Sequence, residues 1–266
     1  MKVRLDVYLT DNGYFPSREK ARAAIMEGLV FVDGQRSDKA GNMIKPDSKV
    51  EVRGDTCPYV SRGGYKLEKA LNVFSIDVKD LRCIDIGSST GGFTDCMLQR
   101  GAKSVCAVDV GTNQLDYKLR TDNRVDVKEQ YNFRYAEAKD FDGRPYDFAC
   151  TDVSFISLKH ILPPASMLLK DGAYMVCLIK PQFEAGREQV GKNGIIKDKK
   201  VHVEVIQNVI NYAQSAGFKP LKLDYSPIKG AKGNVEFLIL LQKNDNDNSS
   251  EIYDIEEVTE RVQKEE

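Results

Sequence analysis

The sequence is poor in the residues that most often bind metal ions. It contains two histidines, and no two of its six cysteines have C-x-x-C spacing, which is the arrangement typical of zinc sites. Cys83, Cys106, Cys150 and Cys177 lie in apolar segments with the character of strands. A reduced cysteine in such a segment usually packs as a small hydrophobic side chain. The cysteine pattern therefore predicts buried free thiols and no metal site.

Long apolar runs are missing as well. No segment approaches the ~18 apolar residues that a membrane-spanning helix needs. The N-terminal sequence MKVRLDVYLTDNG also lacks the charged-then-apolar pattern of a signal peptide. We therefore predict a cytoplasmic protein that is not inserted in a membrane.

The net charge alone argues against a nucleic-acid partner, because it is only −1 at pH 7. That average hides an asymmetry. Residues 243–266 contain nine acidic and three basic residues, so the rest of the chain carries a net charge of +5. A weakly basic body is compatible with a polyanionic partner. The acidic tail is predicted to be disordered or at most a loose helix.

The length of 266 residues, with 41% hydrophobic and 30% charged residues, fits one large domain and one small domain. Residues 1–56 are predicted to form a small α+β domain. In it, Ser17 begins a helix that ends at Gly28, and the segments LVFV and KVEV are strands. Residues 57–60 are predicted to be a linker, residues 61–242 the large domain and residues 243–266 the tail.

Residues 61–242 alternate between strand-like and helix-like segments. Strands are predicted at LRCIDIG, SVCAVDVG, YDFACTDVS and AYMVCLIK. The alternation predicts a doubly wound, Rossmann-like α/β sheet with helices on both faces. The last two strand-like segments, LKLDYSPI and NVEFLILLQ, are predicted to form an antiparallel edge.

The segment CIDIGSSTGGFTD is a strand, a glycine-rich turn and the start of a helix, a geometry that lets a ligand approach the backbone closely. Ser88 and Ser89 break the dinucleotide fingerprint, and Phe93 occupies the position of the P-loop lysine. S-adenosylmethionine carries no phosphate and needs such a turn with acids at the ends of the first two strands. Asp85 and Asp109 stand at those two positions.

These observations predict a site for S-adenosylmethionine. An alternative interpretation is that the two acids only cap loops. The predicted cofactor contacts are Asp85, Gly87, Ser88, Ser89, Thr90, Gly91, Gly92, Phe93, Asp109, Val110 and Asp152.

Charged residues end two further strands, Asp152 and Lys180, where doubly wound sheets bind ligands. Methylation of a base amino group usually goes with an Asn/Asp-Pro-Pro-aromatic turn, but here Asp152 is followed by Val-Ser-Phe. Methylation of cytosine carbon needs a cysteine beyond a strand end, and Cys150 and Cys177 precede theirs. A ribose 2′-hydroxyl is a very weak acid, and a lysine whose pKa is depressed by burial or by a second cation can take its proton.

The residues Lys66, Asp152, Lys180 and Glu236 resemble the Lys-Asp-Lys-Glu tetrad of FtsJ-type RNA ribose 2′-O-methyltransferases. Lys66 or Glu236 alone would more often be a surface charge. The N-terminal segment resembles the S4-type RNA-binding domain. The motifs SRGGYKLEKAL, DIGSSTGGFTD, TDVSFISL and LIKPQFE together closely resemble the TlyA family over about residues 1–242. That family is described as 16S/23S rRNA (cytidine-2′-O)-methyltransferases and also as hemolysins.

The resemblance implies S-adenosylmethionine as the cofactor and ribosomal RNA, in ribosomal subunits, as the partner. It implies that Lys180 activates the ribose hydroxyl, while Lys66 helps to lower the pKa of Lys180 and orients the hydroxyl. Asp152 would steer Lys180 and lie near the sulfonium, and Glu236 would orient the lysines and the ribose. At position 110 a bulky residue could pack on the adenine, but this sequence has Val110 there.

The resemblance also implies a set of RNA contacts. Arg18 and Arg22 are four residues apart and would share one helical face, although a solvated face is the alternative. The stretch KEQYNFR, with Glu129 and Asn132, would shape the site or contact RNA. The implied RNA-binding residues are Arg4, Ser17, Arg18, Lys20, Arg22, Arg62 and Arg134.

Two other functions stay open from the sequence. A non-catalytic RNA-binding or assembly factor could keep the same fold. A cytolysin is the other possibility, although the sequence offers it no membrane-spanning helix.

Overall fold

The computed structural model of the protein describes residues 2–15, 17–26, 28–53, 57–191, 193–230, 232–243 and 254–264. The chain divides into two compact units. We call residues 1–58 the small unit and residues 59–266 the large unit, and each is described by itself.

The described residues of the small unit form two helices and five short strands. The described elements are β1 (Val3–Arg4), α1 (Leu5–Asp11), α2 (Arg18–Met26), β2 (Val30–Val32), β3 (Gln35–Arg36), β4 (Met43–Ile44) and β5 (Val50–Val52). Strands β1 and β4 form an antiparallel pair, and β3, β2 and β5 form an antiparallel sheet in that order.

Helix α2 begins where the sequence predicts, because the Ser17 hydroxyl accepts a hydrogen bond from the Lys20 N–H at 3.3 Å. Its buried residues Ala21, Ala24 and Ile25 recur at a spacing of three and four, which places them on one helical face. They pack with residues of α1 and β2 in the core of the small unit. The apolar spacing and the serine cap therefore account for this helix.

The large unit is a seven-stranded sheet covered by helices. The described elements are α3 (Gly63–Phe74), β6 (Arg82–Ile86), α4 (Gly92–Gln99), β7 (Ser104–Val108), α5 (Tyr117–Arg120), β8 (Val125–Lys128), β9 (Tyr146–Thr151), α6 (Leu162–Leu168), β10 (Leu169–Ile179), α7 (Pro181–Glu184), α8 (Lys199–Ser215), β11 (Phe218–Tyr225), β12 (Phe237–Lys243) and α9 (Ile255–Lys264).

The strand order of this sheet is β11-β12-β10-β9-β6-β7-β8. The five strands from β10 to β8 run parallel, and β12 is antiparallel to both of its neighbours. The predicted Rossmann-like sheet with an antiparallel edge is confirmed. The antiparallel strand lies second from the edge, between β10 and β11.

The strands in the middle of the sheet are mainly apolar. The run that ends β10, from Ala173 to Ile179, is almost completely buried, and Cys83, Cys106, Cys150 and Cys177 are at most 3% exposed. These thiols are free, as predicted. A strand covered by helices on both faces has no solvent side, so its sequence shows no alternation of polar residues.

The residues predicted as a linker are partly integrated into the large unit. The backbone N–H of Val60 donates to the Asp95 carboxylate at 2.9 Å, and the Tyr59 ring is buried. Residues 54–56, just before the predicted linker, lie outside the described residues. The division between the two compact units falls between Pro58 and Tyr59, inside the predicted linker.

The acidic tail differs from its prediction. Its described part forms α9, in which Val258 and Val262 are buried in the core of the large unit. The helix also forms ion pairs, from Lys199 to Glu260 at 2.9 Å and from Arg261 to Asp224 at 3.3 Å. Two valines four residues apart supply an apolar stripe that the acidic composition concealed. Residues 244–253 and 265–266 of the predicted tail lie outside the described residues.

Across the part of the chain that the structure describes, no helix has both the length and the apolar character that crossing a membrane requires.

Candidate active site

The candidate active site lies at the carboxyl edge of the large sheet. Strands β6, β9 and β10 run parallel, so Gly87, Asp152 and Lys180, which directly follow them, meet at one edge. Glu236 directly precedes the antiparallel β12 and therefore reaches the same edge. Lys66 joins these residues from the first turns of α3.

Four charged side chains at this edge form a continuous chain of ion pairs. The ammonium group of Lys66 lies 2.8 Å from a Glu236 oxygen and 3.1 Å from Asp152 Oδ2. The other oxygen of Asp152 lies 2.5 Å from the Lys180 ammonium, which also donates to the Ser154 hydroxyl at 2.8 Å. We call Lys66, Asp152, Lys180 and Glu236 the tetrad. Its order in space is Glu236, Lys66, Asp152, Lys180.

The tetrad is largely removed from water, since Lys66 and Lys180 are each 8% exposed and Glu236 is 2% exposed. Burial opposes the charge on Lys66, but Asp152 and Glu236 outweigh it and raise the pKa of the ammonium. Burial likewise opposes the charge on Asp152, yet the two lysines lower the pKa of its carboxyl. For Glu236, burial prevails and raises the pKa. The site therefore stabilises the charged forms of Lys66 and Asp152 and disfavours that of Glu236.

Two aromatic residues flank the tetrad. Phe155 lies three residues after Asp152 and is 91% exposed, with a backbone φ of +64°. A bulky residue in this left-handed region is strained. Its ring lies 4.9 Å from that of Phe183, which is in α7 just beyond Lys180. Sequence reasoning missed both rings and Ser154, because nothing in the apolar pattern indicates an exposed phenylalanine.

A further missed residue, Asn234, fastens two loops beside the tetrad. Its carboxamide accepts a hydrogen bond from the Ile196 N–H at 2.9 Å and donates to the Gly194 carbonyl at 2.8 Å. Asn234 is 2% exposed and precedes Glu236 by two residues. The segment around residue 195 is thereby held to the loop that leads into β12. The sequence signal was weak, since glycine-rich loops usually carry exposed asparagines.

The glycine-rich turn has the backbone geometry of a ligand cradle. Gly87, Ser89 and Gly91 have φ values of +82°, +48° and +96°. A Cβ on Gly87 would come within 2.9 Å of Val153, and one on Gly92 within 2.8 Å of the Gly64 backbone nitrogen. The predicted contacts Ser89 and Thr90 are exposed, while Ser88 and Phe93 are buried.

Asp109 and Asp85 occupy different environments. The carboxylate of Asp109 is partly exposed and accepts the N–H groups of Ser89 at 2.8 Å and Gly111 at 2.7 Å. Val110, beside it, is 69% exposed. Asp85 is completely buried, and its carboxylate accepts the Thr94 hydroxyl at 2.6 Å. Asp109 thus faces the cradle, whereas Asp85 lies beneath it and ties β6 to α4.

The stretch KEQYNFR is engaged mainly with the protein itself. Glu129 accepts the N–H groups of Asn113 at 2.9 Å and Gln114 at 3.1 Å, so it fixes the loop after Asp109. Asn132 caps the turn that follows by accepting the Arg134 N–H. Arg134 is exposed, as is the predicted RNA contact Arg62 at the start of α3.

In the small unit, three of the predicted RNA-binding residues converge. Arg4, Arg18 and Arg22 each lie 3.0 Å from the carboxylate of Asp6. Lys20 is exposed, and Ser17 uses its hydroxyl as the helix cap described above. Asp6 was missed by sequence reasoning, because a lone acid in a basic segment resembles a surface charge.

Residues 59–243 match the FtsJ-like methyltransferase family, and residues 3–50 match the S4 domain. YqxC of Bacillus subtilis is 54% identical over 240 residues, which cover 90% of this chain and 85% of that protein. The 16S/23S rRNA (cytidine-2′-O)-methyltransferase TlyA of Mycobacterium tuberculosis is 38% identical over 242 residues, covering 91% and 90%. A solved structure of a hemolysin-like protein from Streptococcus thermophilus is 50% identical with a TM-score of 0.78, covering 99% of this chain and 96% of that one.

The fold and the site define an FtsJ-like methyltransferase with a Rossmann-like sheet, preceded by an S4 domain. More specifically, the chain belongs to the TlyA/hemolysin A family of rRNA methyltransferases.

Proposed function

We propose that this protein transfers the methyl group of S-adenosylmethionine to the 2′-hydroxyl of a cytidine in ribosomal RNA. The observation that carries the proposal is the tetrad. Two buried lysines, the buried Glu236 and the partly buried Asp152 form one chain of ion pairs at the carboxyl edge of the sheet, beside a turn suited to the cofactor. Buried charges are costly unless they are paired or used.

The residues of the cradle fit S-adenosylmethionine. The turn at residues 87–92 leaves room that a side chain on Gly87 or Gly92 would fill. The N–H groups that begin α4 suit the carboxylate of the methionine end. Asp109 is partly exposed, so its carboxylate can accept hydrogen bonds from the ribose hydroxyls. The exposed side chain of Val110 offers an apolar surface to the adenine. When bound, this cofactor supplies an electrophilic methyl group on a sulfonium.

Lys180 is the residue proposed to take the proton of the ribose hydroxyl. It must act as the free amine, because an ammonium has no lone pair with which to accept a proton. The cofactor would supply the methyl group for the 2′-oxygen, with its sulfur as the leaving group, and Lys180 would receive the proton of the hydroxyl. Contacts with Asp152 and Ser154 orient the amine, which then releases the proton to water.

The other tetrad residues act on Lys180 through Asp152. Lys66 stays charged because its pKa is raised, so it can compensate the Asp152 carboxylate when Lys180 is neutral. Asp152 keeps its negative charge, which favours the positively charged sulfonium nearby. Glu236 anchors Lys66 at 2.8 Å. With both lysines protonated and both carboxylates ionised, the four charges of the tetrad sum to zero.

The exposed Phe155 is suited to hold the base of the target nucleotide. Its ring rests on Phe183, so one aromatic face remains available for stacking. Base–aromatic stacking contributes about 1–3 kcal/mol per base, and single-stranded or splayed nucleotides are the usual targets of RNA-modifying sites. The strained backbone at this position supports a functional use of the ring.

The first test replaces Lys180. We expect Lys180→Ala to lower the rate of methyl transfer by about 10²–10⁴-fold, which is the usual contribution of a general base. Affinity for the cofactor should change little, because the cradle is untouched. Transfer is measured with methyl-labelled S-adenosylmethionine and isolated ribosomal subunits, and cofactor binding by calorimetry. Lys159→Ala is the matched control, because Lys159 is an exposed lysine of the same unit.

Two results would contradict the proposal. Wild-type protein that binds ribosomal subunits but transfers no label in any assembly state would be a non-catalytic assembly factor. Label found on a base rather than on a ribose, after digestion to nucleosides, would place the chemistry in another class. Leakage of liposomes at low protein concentration would instead support a lytic function.

A further inference from the structure

The small unit contains one buried charge that the sequence did not indicate. Asp6 lies in the first turn of α1 and is 0% exposed. Arg4 donates to both of its oxygens, at 3.0 and 3.1 Å. Arg18 and Arg22 donate to Oδ2, each at 3.0 Å. Three guanidinium groups from two different elements therefore meet at one carboxylate.

Three arginines are more than this carboxylate needs. One well-placed cation is enough to pair a buried acid, and the cluster of Arg4, Arg18, Arg22 and Asp6 has a net charge of +2. The arginine side chains are 45%, 50% and 51% exposed. Each guanidinium has five N–H donors, and Asp6 accepts two from Arg4 and one from each of the others. The cluster therefore retains both charge and donors on its exposed side.

Asp6 also determines how close the arginines are to one another. Because all three donate to the same oxygen, their contacting nitrogens lie within about 6 Å of each other, a distance at which like charges repel. Hydrogen bonds from Arg4 above all, and from Arg18 and Arg22, hold the pKa of Asp6 well below its usual range although burial opposes this. The carboxylate thus remains charged and keeps the cations together.

We propose that Asp6 is a positioning residue for RNA binding. It gathers Arg4, Arg18 and Arg22 into one cationic surface that binds phosphate groups of the RNA backbone. Guanidinium groups suit this ligand because their planar donors match phosphate oxygens. Such contacts orient an RNA without reading its sequence. The inference rests on the proposed function, since it assumes an RNA substrate.

The proposal and the net charge of the protein predict opposite effects of replacing Asp6 on RNA affinity. Replacing an acid makes the protein more positive, which by itself tightens the binding of a polyanion. If Asp6 gathers the arginines, its replacement by asparagine instead lets them separate and weakens RNA binding. The sign of the effect distinguishes the two explanations.

The experiment compares full-length wild type with Asp6→Asn and with Glu51→Gln. Glu51 is the matched control, because this acid of the small unit also pairs with two cations, Lys49 at 2.6 Å and Arg53 at 2.7 Å. The probes are isolated ribosomal subunits and a mixed-sequence RNA hairpin. Dissociation constants are measured between ~50 and ~200 mM salt, a range in which phosphate contacts dominate the salt dependence.

We expect Asp6→Asn to weaken binding about three- to tenfold and to reduce the steepness of the salt dependence by about one, since each lost phosphate contact removes about 0.7–0.9. Glu51→Gln should bind as tightly as wild type or more tightly. An Asp6→Asn protein that is folded and binds with wild-type or greater affinity and an unchanged salt slope overturns the proposal.

A double-mutant cycle separates positioning from mere stabilisation. In an Arg4→Ala/Arg18→Ala/Arg22→Ala background, Asp6→Asn should have little further effect on RNA affinity; an additive loss would contradict the proposal. If the Asp6→Asn protein does not fold, Asp6→Glu is used instead. This change keeps the negative charge but displaces the carboxylate, and weaker RNA binding is again expected. Methyl transfer is measured separately. Wild-type binding without transfer refutes the proposed function alone, whereas transfer with unchanged Asp6→Asn binding refutes only this inference.

Discussion

Three carboxyl groups at the carboxyl edge of the sheet have different numbers of cationic partners. Asp152 contacts two ammonium groups and Glu236 contacts one, whereas the contacts of Asp85 are the Thr94 hydroxyl and the Cys150 thiol. The pKa of Asp152 is lowered, and the pKa values of Glu236 and Asp85 are raised. Burial disfavours the charged form of a carboxyl group, and among these three it is outweighed at Asp152, which has two cations. The acid assigned to the sulfonium is thus the one that remains ionised.

Asp85 should make stability depend on pH. Burial raises its pKa to about 7, helped by the charge of Asp152 and opposed by Thr94, whereas an unfolded aspartate titrates near about 3.9. Its contribution is therefore fully present below about pH 4 and is lost as the pH rises through about 7. Relative to wild type, Asp85→Asn should become more stable between about pH 5 and pH 8.

Urea unfolding of both proteins across this pH range measures the difference. Burial also raises the pKa values of Glu184 and Glu236. Both proteins contain these residues, so their contributions to the pH dependence cancel in the difference. A stability difference that does not vary with pH would show that Asp85 titrates at its ordinary pKa.

At the scale of elements, the close approach of α3 and α4 connects Lys66 with the cofactor turn. Gly92 begins α4, and a Cβ there would lie 2.4 Å from the Ser61 hydroxyl and 2.8 Å from the backbone nitrogen of Gly64. The serine hydroxyl can rotate away, but the backbone cannot move cheaply. The absence of a side chain at Gly92 is therefore what lets α3 present Lys66 beside the turn.

We expect Gly92→Ala to destabilise the large unit by about 1–3 kcal/mol, which is typical of overpacking, and to lower cofactor affinity. Gly63→Ala is the control, because a Cβ there would meet only the Ser61 hydroxyl, at 3.4 Å. Alanine also favours a helix by up to about 1 kcal/mol over glycine. The denaturant midpoint measures the stability of each variant, and calorimetric titration with the cofactor measures its affinity. Equal midpoints for the two variants would contradict the expected close contact.

The sequence predicted most of these elements because their apolar patterns are clear. In α2 the apolar residues recur at helical spacing, and in β10 they form a continuous run. It did not predict β8, since VDVK is four residues long and partly exposed, nor the packing of α9. The tetrad was assigned by resemblance. Pattern alone could not bring Lys66 and Glu236 together, as they are about 170 residues apart. Asp6 and Asn234 became recognisable only through their partners in space.

At the scale of the whole molecule, α9 makes the acidic C-terminal segment part of the large unit. It packs against α8 and β11 through Val258 and Val262. Strand β11 pairs with β12, which begins directly after Glu236. The C-terminal segment therefore supports the edge of the sheet from which the tetrad receives its last member.

Val258→Asp should lower the free energy of unfolding of the large unit by roughly 2–4 kcal/mol, because it buries an uncompensated charge. Methyl transfer should fall at temperatures where the edge then opens. Glu256→Ala, an exposed change in the same helix, should shift stability by less than about 0.5 kcal/mol. Thermal unfolding of the two variants is followed by circular dichroism. Equal melting temperatures for Val258→Asp and Glu256→Ala would contradict the packing role of α9.

The position of β12 also constrains how the protein is made. As the chain leaves the ribosome, β10 and β11 are synthesised before the strand that belongs between them. Until β12 emerges, the nascent sheet has unpaired strand edges that invite pairing with other chains. Glu236 emerges only just before that strand. The four charged side chains of the tetrad therefore cannot be brought together until almost all of the FtsJ-like domain has been translated.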